Sequence, residues 1–203
     1  MEDASDLTVC SKWSQLYIAD WAQSATWRVN LLSIEPADKF IALEREPWSL
    51  SGNSSRLLIT PVDGRSLYLY GDDGNGLHHI ELPRYMLALH AVETTRNTYI
   101  VGHFNRFIED TSSHSRSVTE VDVNGRVIRT FDADIDSIHF NVPRYLMLDN
   151  DHVLVADRFN ERIILLQSDL QLKRILINEL QGKQPKRICL ISSRLFIVSY
   201  VNN

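Results

Sequence analysis

The chain has 203 residues, 44% of them hydrophobic and 23% charged, and a formal net charge of −5; this suffices for one well-buried domain and excludes a disordered chain. No run reaches the length of a membrane helix, and the first twenty residues carry acids where a secretory signal carries bases, so a cytoplasmic protein without a membrane partner is expected. The acidic balance argues against general nucleic-acid binding, because a phosphate backbone rewards a basic surface, but it leaves room for a local basic face.

Short β-branched and aromatic runs bounded by Asp-Gly, Asn-Gly, Asn-Asp and Pro recur along the whole chain, the pattern of an all-β protein built from hairpins. The first repeat spans residues 7–43, with Leu-Tyr-Ile-Ala-Asp at 16–20 as its second strand and Asp20 as the acid of the following turn. The second, residues 47–82, has Leu57–Pro61 as its second strand and a tight Asp63-Gly64 hairpin into Ser66–Tyr70. Its loop Gly-Asp-Asp-Gly-Asn-Gly at 71–76 offers two carboxylates and an amide, short of the six or more oxygens calcium takes, and is read as an outer hairpin. His78 and His79 follow in an outer strand, where adjacent side chains face opposite ways and do not chelate as a pair.

The third repeat, residues 83–131, carries a surplus. The second strands of successive repeats begin 41, 41, 55 and 42 residues apart, and the extra length falls in the polar, hydroxyl-rich residues 105–116. Loops on a rigid scaffold are where specificity is usually placed, so this insert is a candidate for a partner contact or a phosphorylation site. Asn124-Gly125 between two β-rich runs is the strongest hairpin signal in the chain.

The fourth repeat, residues 143–176, reads as a complete four-stranded unit, with strands at 144–148, 152–156, 161–167 and 171–176. In its central turn Asp157 can accept backbone N–H groups, Asn160 tolerates left-handed backbone, and Arg162 on the return strand can pair with the acid. The run Val153-Leu-Val-Ala-Asp157, then Asn160, then Arg162-Ile163, resembles the NHL repeat. The resemblance implies a β-propeller that displays binding loops. It further implies a protein-interaction module of the kind found at the substrate-recognition end of TRIM-type or other RING ubiquitin ligases, or an RNA-binding face as in some members. Similar propellers include metal-dependent lactonases and an amidating lyase, but the positions matching the repeat Asp read Asp20, Pro61, Gly102, Asp157 and Ser199, which does not meet their channel constellation.

Residues 185–203 form a partial fifth repeat, with its second strand at 195–199. Repeats of about forty residues and four strands are the signature of a propeller, because each sheet buries its faces only against its neighbours. The expected fold is therefore all-β: four four-stranded blades plus a half blade, an incomplete six-bladed ring whose missing blades come from a longer chain or from self-association.

Strand alternation puts the turns between second and third strands on the same face as the connections between blades. That face collects Arg84, Arg144, Lys186 and Arg187 after the blade-opening prolines, Arg106, Arg116 and Arg158 in loops, and Tyr85 and Tyr145 as stacking groups. A basic face of this kind suits an acidic or phosphorylated protein or peptide ligand, or single-stranded RNA. In the competing reading the arginines only pair with turn acids such as Asp20 and Asp157. The seven histidines show no ligand spacing and are read as surface and turn residues, and Cys10 and Cys189 as buried free thiols. No nucleophile elbow, phosphate loop or acid–base pair stands out. The expectation is a non-enzymatic binding scaffold without cofactor or metal.

Overall fold

The computed structural model describes residues 4–10, 12, 14–53, 55–105, 116–131, 138–149, 152–177, 182–192 and 195–202. Runs such as Leu57–Pro61 and His152–Asp157 are apolar on both faces because they form second strands packed between neighbouring blades. β6 (Leu57–Pro61) is buried at all five positions, and β14 (His152–Asp157) at all but its first. Outer strands read polar because they face solvent: β8 (Gly76–Glu81) buries only Ile80.

The strands form antiparallel meanders in chain order. β1 (Ala4–Cys10), β2 (Gln15–Asp20), β3 (Ala25–Asn30) and β4 (Asp38–Ala42) make the first blade, and β5 (Pro47–Gly52), β6, β7 (Ser66–Tyr70) and β8 the second. The third contains β9 (Met86–Glu93), β10 (Tyr99–Asn105), β11 (Arg116–Val121) and β12 (Val127–Thr130). The fourth contains β13 (Pro143–Asp149), β14, β15 (Arg162–Gln167) and β16 (Leu172–Ile177), and β17 (Lys183–Ser192) pairs with β18 (Leu195–Asn202) in a fifth, two-stranded sheet. The fold is a β-propeller.

The hydrophobic core is divided among the gaps between blades. Tyr17, Ala19 and Ile41 of the first blade pack against Leu50, Leu57 and Ile59 of the second. Leu67, Leu69 and Ile80 then meet Met86, Tyr99 and Val101 of the third, and Val92, Ile100 and Val118 meet Leu146, Val153 and Val155 of the fourth. Ala156 and Ile163 close against Ile188 of the fifth. Each blade is therefore stabilised by its neighbours, as radial repeats require.

Turn glycines lock adjacent blades together. Gly125, in the β11–β12 hairpin, has φ +75, and a Cβ there would lie 1.9 Å from the Glu81 carbonyl oxygen of the preceding blade. Gly125→Ala meets both backbone strain and a backbone clash. It is expected to cost on the order of 2 kcal/mol or more, seen as a lowered urea midpoint.

Each inner strand carries a β-bulge in its first half. The unpaired residue is Ser5 in β1, Trp48 in β5, Leu89 in β9, Arg144 in β13 and Lys186 in β17. A bulge re-aims its side chain relative to the ladder, here once per blade.

Three expectations are corrected. His90 and His103, read as surface and turn residues, are 1% and 2% exposed, because His90 finds polar partners on the two neighbouring blades and His103 within its own. Cys189, expected to be buried, is exposed, since alternation along β17 turns Ile188 inward and its neighbour outward. In the fourth-blade turn the left-handed residue is Glu161, at φ 51, rather than Asn160; a one-turn 3-10 helix over Arg158–Asn160 delays the return strand to Arg162.

Candidate functional site

The five bulges converge on the propeller axis. The bulge residue and its successor from every inner strand line one cleft: Ser5 and Asp6, Trp48 and Ser49, Leu89 and His90, Arg144 and Tyr145, Lys186 and Arg187. Its enclosed volume is about 20 Å³, the space of a single water. The axis is thus plugged, and this mouth offers a rim rather than a cavity.

Asp6 and His90 hold the plug. The Leu50 amide donates to Asp6 Oδ2 at 2.7 Å, while Arg187 pairs with Asp6 Oδ1 and donates to the Leu7 carbonyl. One carboxylate thereby joins the first, second and fifth inner strands. His90 Nε2 lies 3.3 Å from the Leu50 carbonyl oxygen, and its Nδ1 accepts from the Leu146 amide at 3.3 Å. Since Nδ1 accepts, the ring is the neutral Nε2–H tautomer. Burial holds it there, pushing its pKa down to about 3, and the Tyr145 ring packs against it at 4.2 Å.

Cationic charge at the rim is only partly compensated. Arg187 is committed to Asp6, with its guanidinium 5.3 Å from the Tyr145 ring and burial lowering its pKa to about 10. Arg144 lies over the Trp48 ring at 4.3 Å. Among the described residues it pairs with no carboxylate. Burial, followed by the like charge of Arg158, lowers its pKa to about 10. Arg158 donates Nε to Gln184 Oε1 at 2.8 Å and covers Phe159, so its charge also meets no described acid. Lys186 is exposed beside them.

The other predicted residues lie elsewhere. Arg84 is exposed in the turn before β9, and Tyr85 packs on the core between the second and third blades. The third-blade bulge falls at Leu89 instead of directly after the proline, so Leu89 and His90 hold the places that Arg144 and Tyr145 hold in the fourth. Arg116 donates to Asn141 Oδ1 and covers Phe104. Arg106 lies outside the described residues, with most of the insert.

The turn residues form a structural box. Asp157, fully buried, accepts from the Asn141 amide at 2.6 Å and from Asn160 Nδ2 and Arg162 Nε at 2.8 Å each. Burial pushes its carboxyl up against the pull of these donors. Asn160 and Arg162 also donate to the His139 carbonyl, so the box pins the segment leading into the fourth blade. Among the described residues Asp20 accepts from the Gln23 amide, at 3.1 Å, and Arg28, on the return strand, pairs with Asp38. No group of three or more His, Cys, Asp or Glu able to hold a metal occurs among the described residues, and none of their helices is long and apolar enough to cross a membrane.

Sequence reasoning located Arg144, Tyr145, Lys186 and Arg187 but missed Trp48, Asp6 and His90. Trp48 follows the blade-opening Pro47 as Arg144 follows Pro143, and that register carried the signal for it. Asp6 and His90 carried none, because their roles arise from contacts across blades.

No protein family and no curated protein sequence matches the chain. Among solved structures it is similar to the WD40 β-propeller domain of Doa1, with a TM-score of 0.58 and 16% identity over 84% of this chain and 52% of that one. It is also similar to a streptogramin B lyase, with a TM-score of 0.66 and 11% identity over 93% of this chain and 59% of that one. The chain spans between half and three-fifths of the length of these propellers. At such identities the likeness shows the fold, and the NHL resemblance rests on the fourth repeat.

Proposed function

We propose that the protein is a non-enzymatic binding scaffold whose axial rim recognises an acidic or phosphorylated segment of a partner protein. The observation that carries this reading is the Arg144–Arg158 pair: two guanidiniums of like charge, one of them stacked on Trp48, with no described carboxylate between them. An anionic group docked there gains charge-assisted, fork-shaped hydrogen bonds and removes the repulsion. The plugged axis favours a macromolecular surface contact over an enclosed small ligand at this mouth. Through the NHL resemblance of its fourth repeat the reading extends to the substrate-recognition part of a RING-type ubiquitin ligase, with the partner as substrate.

The test is fluorescence polarisation against a panel of labelled acidic peptides, phosphopeptides and a random single-stranded RNA pool, on the parent chain and on Arg144→Glu. Binding of an acidic or phosphorylated peptide that Arg144→Glu weakens by about tenfold or more is the expected result. Peptide binding indifferent to Arg144→Glu contradicts the reading. A steeply salt-dependent complex with RNA alone replaces it with nucleic-acid recognition.

A further inference from the structure

A second concavity lies at the opposite ends of the same inner strands. It is lined by Thr8 of β1, Gly52 of β5, Glu93 of β9 and Leu148 of β13, and Tyr145 forms the partition it shares with the axial cleft. Its volume is about 480 Å³, within the range of small-molecule sites. One wall is apolar, built from Leu58, Val92, Ile100 and Leu146. The other is charged. Arg56 and Arg96 line it against a single lining carboxylate, Glu93.

The ion pairs leave positive charge facing the cavity. Arg56 Nη1 pairs with Glu93 Oε1 at 2.6 Å, and Arg96 Nη2 with Glu120 Oε1 at 3.1 Å. Glu120 is shared, because Arg129 Nε approaches its other oxygen at 2.8 Å. Three guanidiniums therefore meet two carboxylates. The arginine side chains Arg56 and Arg96 are 36% and 51% exposed, whereas Glu93 and Glu120 are 4% and 1% exposed, so the acids sit behind the bases. Only one terminal nitrogen of each arginine is engaged in these pairs, which leaves guanidinium N–H groups for a further acceptor.

We infer that this cavity binds a small amphipathic monocarboxylate, its carboxylate held by Arg96 and Arg56 and its apolar body against Val92, Ile100 and Leu148. Arg56 and Arg96 line the cavity against one carboxylate, Glu93, and Lys173 stands behind the lining His152. The charged wall therefore calls for an anionic group, and the apolar wall for a hydrocarbon rather than a sugar or a nucleotide. The inference does not depend on the axial rim.

The experiment is isothermal titration of the full 203-residue chain with octanoate, octanol and octylammonium, repeated on Arg96→Gln, Leu148→Trp and Arg144→Ala. Arg96→Gln leaves Glu120 paired with Arg129 and hydrogen-bonded by Thr98, so the fold is retained. Octanoate is expected to bind at least about tenfold more tightly than either other probe. Arg96→Gln should weaken it about tenfold, Leu148→Trp should block it by filling the cavity, and Arg144→Ala should leave it unchanged. Octanoate binding no better than octanol overturns the inference, as does octanoate binding that survives both Arg96→Gln and Leu148→Trp or that disappears in Arg144→Ala.

Discussion

Val155→Asp unfolds the fourth blade. Val155 is fully buried in the middle of β14, paired across the sheet with Leu146 and Ile164, and its side chain belongs to the core between the third and fourth blades. A carboxylate there has no donor to meet it, and desolvating an unpaired charge costs on the order of 5 kcal/mol or more, comparable with a domain's whole stability. The loss spreads, because the third blade depends on the same core. Near-UV circular dichroism and solubility read the outcome: aggregation or a lost tertiary signal is expected. A soluble Val155→Asp protein with an unchanged spectrum means that β14 is not the buried strand described here.

Mild acid destabilises the protein through two histidines that cannot charge in place. Burial lowers His90 to about 3 and His103 to about 4, the latter held between Thr119 Oγ1 at 2.9 Å and the Phe104 carbonyl. In the unfolded chain both titrate near 6.5. Below that value the unfolded state takes up protons that the folded state refuses, so stability is complete above about pH 7 and declines as pH falls from 6.5 toward the folded values. Between pH 7.5 and 5.5, above the carboxylate range, each histidine is expected to remove roughly 1.4 kcal/mol. Urea midpoints at the two pH values measure it. A variant carrying His90→Asn and His103→Gln should be less stable at pH 7.5 but nearly flat across the interval. A parent midpoint that does not move between the two values contradicts the buried neutral pair.

The repeat and the blade order were legible because they depend on local chemistry. The buried second strands are continuous apolar runs, Asn124-Gly125 and Asp63-Gly64 are turn dipeptides, and Pro47 and Pro143 open their inner strands. The turn box was legible for the same reason, since Asp157, Asn160 and Arg162 lie within six residues and meet one another. The axial rim was only partly legible. Arg144 and Lys186 follow prolines, but whether a residue occupies the bulge is decided by a one-residue slip of the ladder, and Leu89 takes that place six residues beyond Pro83. His90 reads with the surface and turn histidines, and its burial rests on the Leu50 carbonyl and the Leu146 amide from two other blades. Nothing near it in the sequence predicts either partner.

The most direct test of the axial rim is the indole N–H resonance of Trp48 in a protein labelled with 15N at tryptophan, followed while an acidic or phosphorylated peptide from the binding panel is added. Trp48 lies beneath the Arg144 guanidinium at the bulge ring, whereas Trp27 lies on β3 and Trp21 in the turn before it, and neither lines the axial cleft. A Trp48 resonance that moves and saturates with peptide, with Trp21 and Trp27 unmoved and no shift in Arg144→Glu, is the predicted result. Saturable peptide binding that leaves Trp48 in place contradicts the assignment of the rim as the binding face.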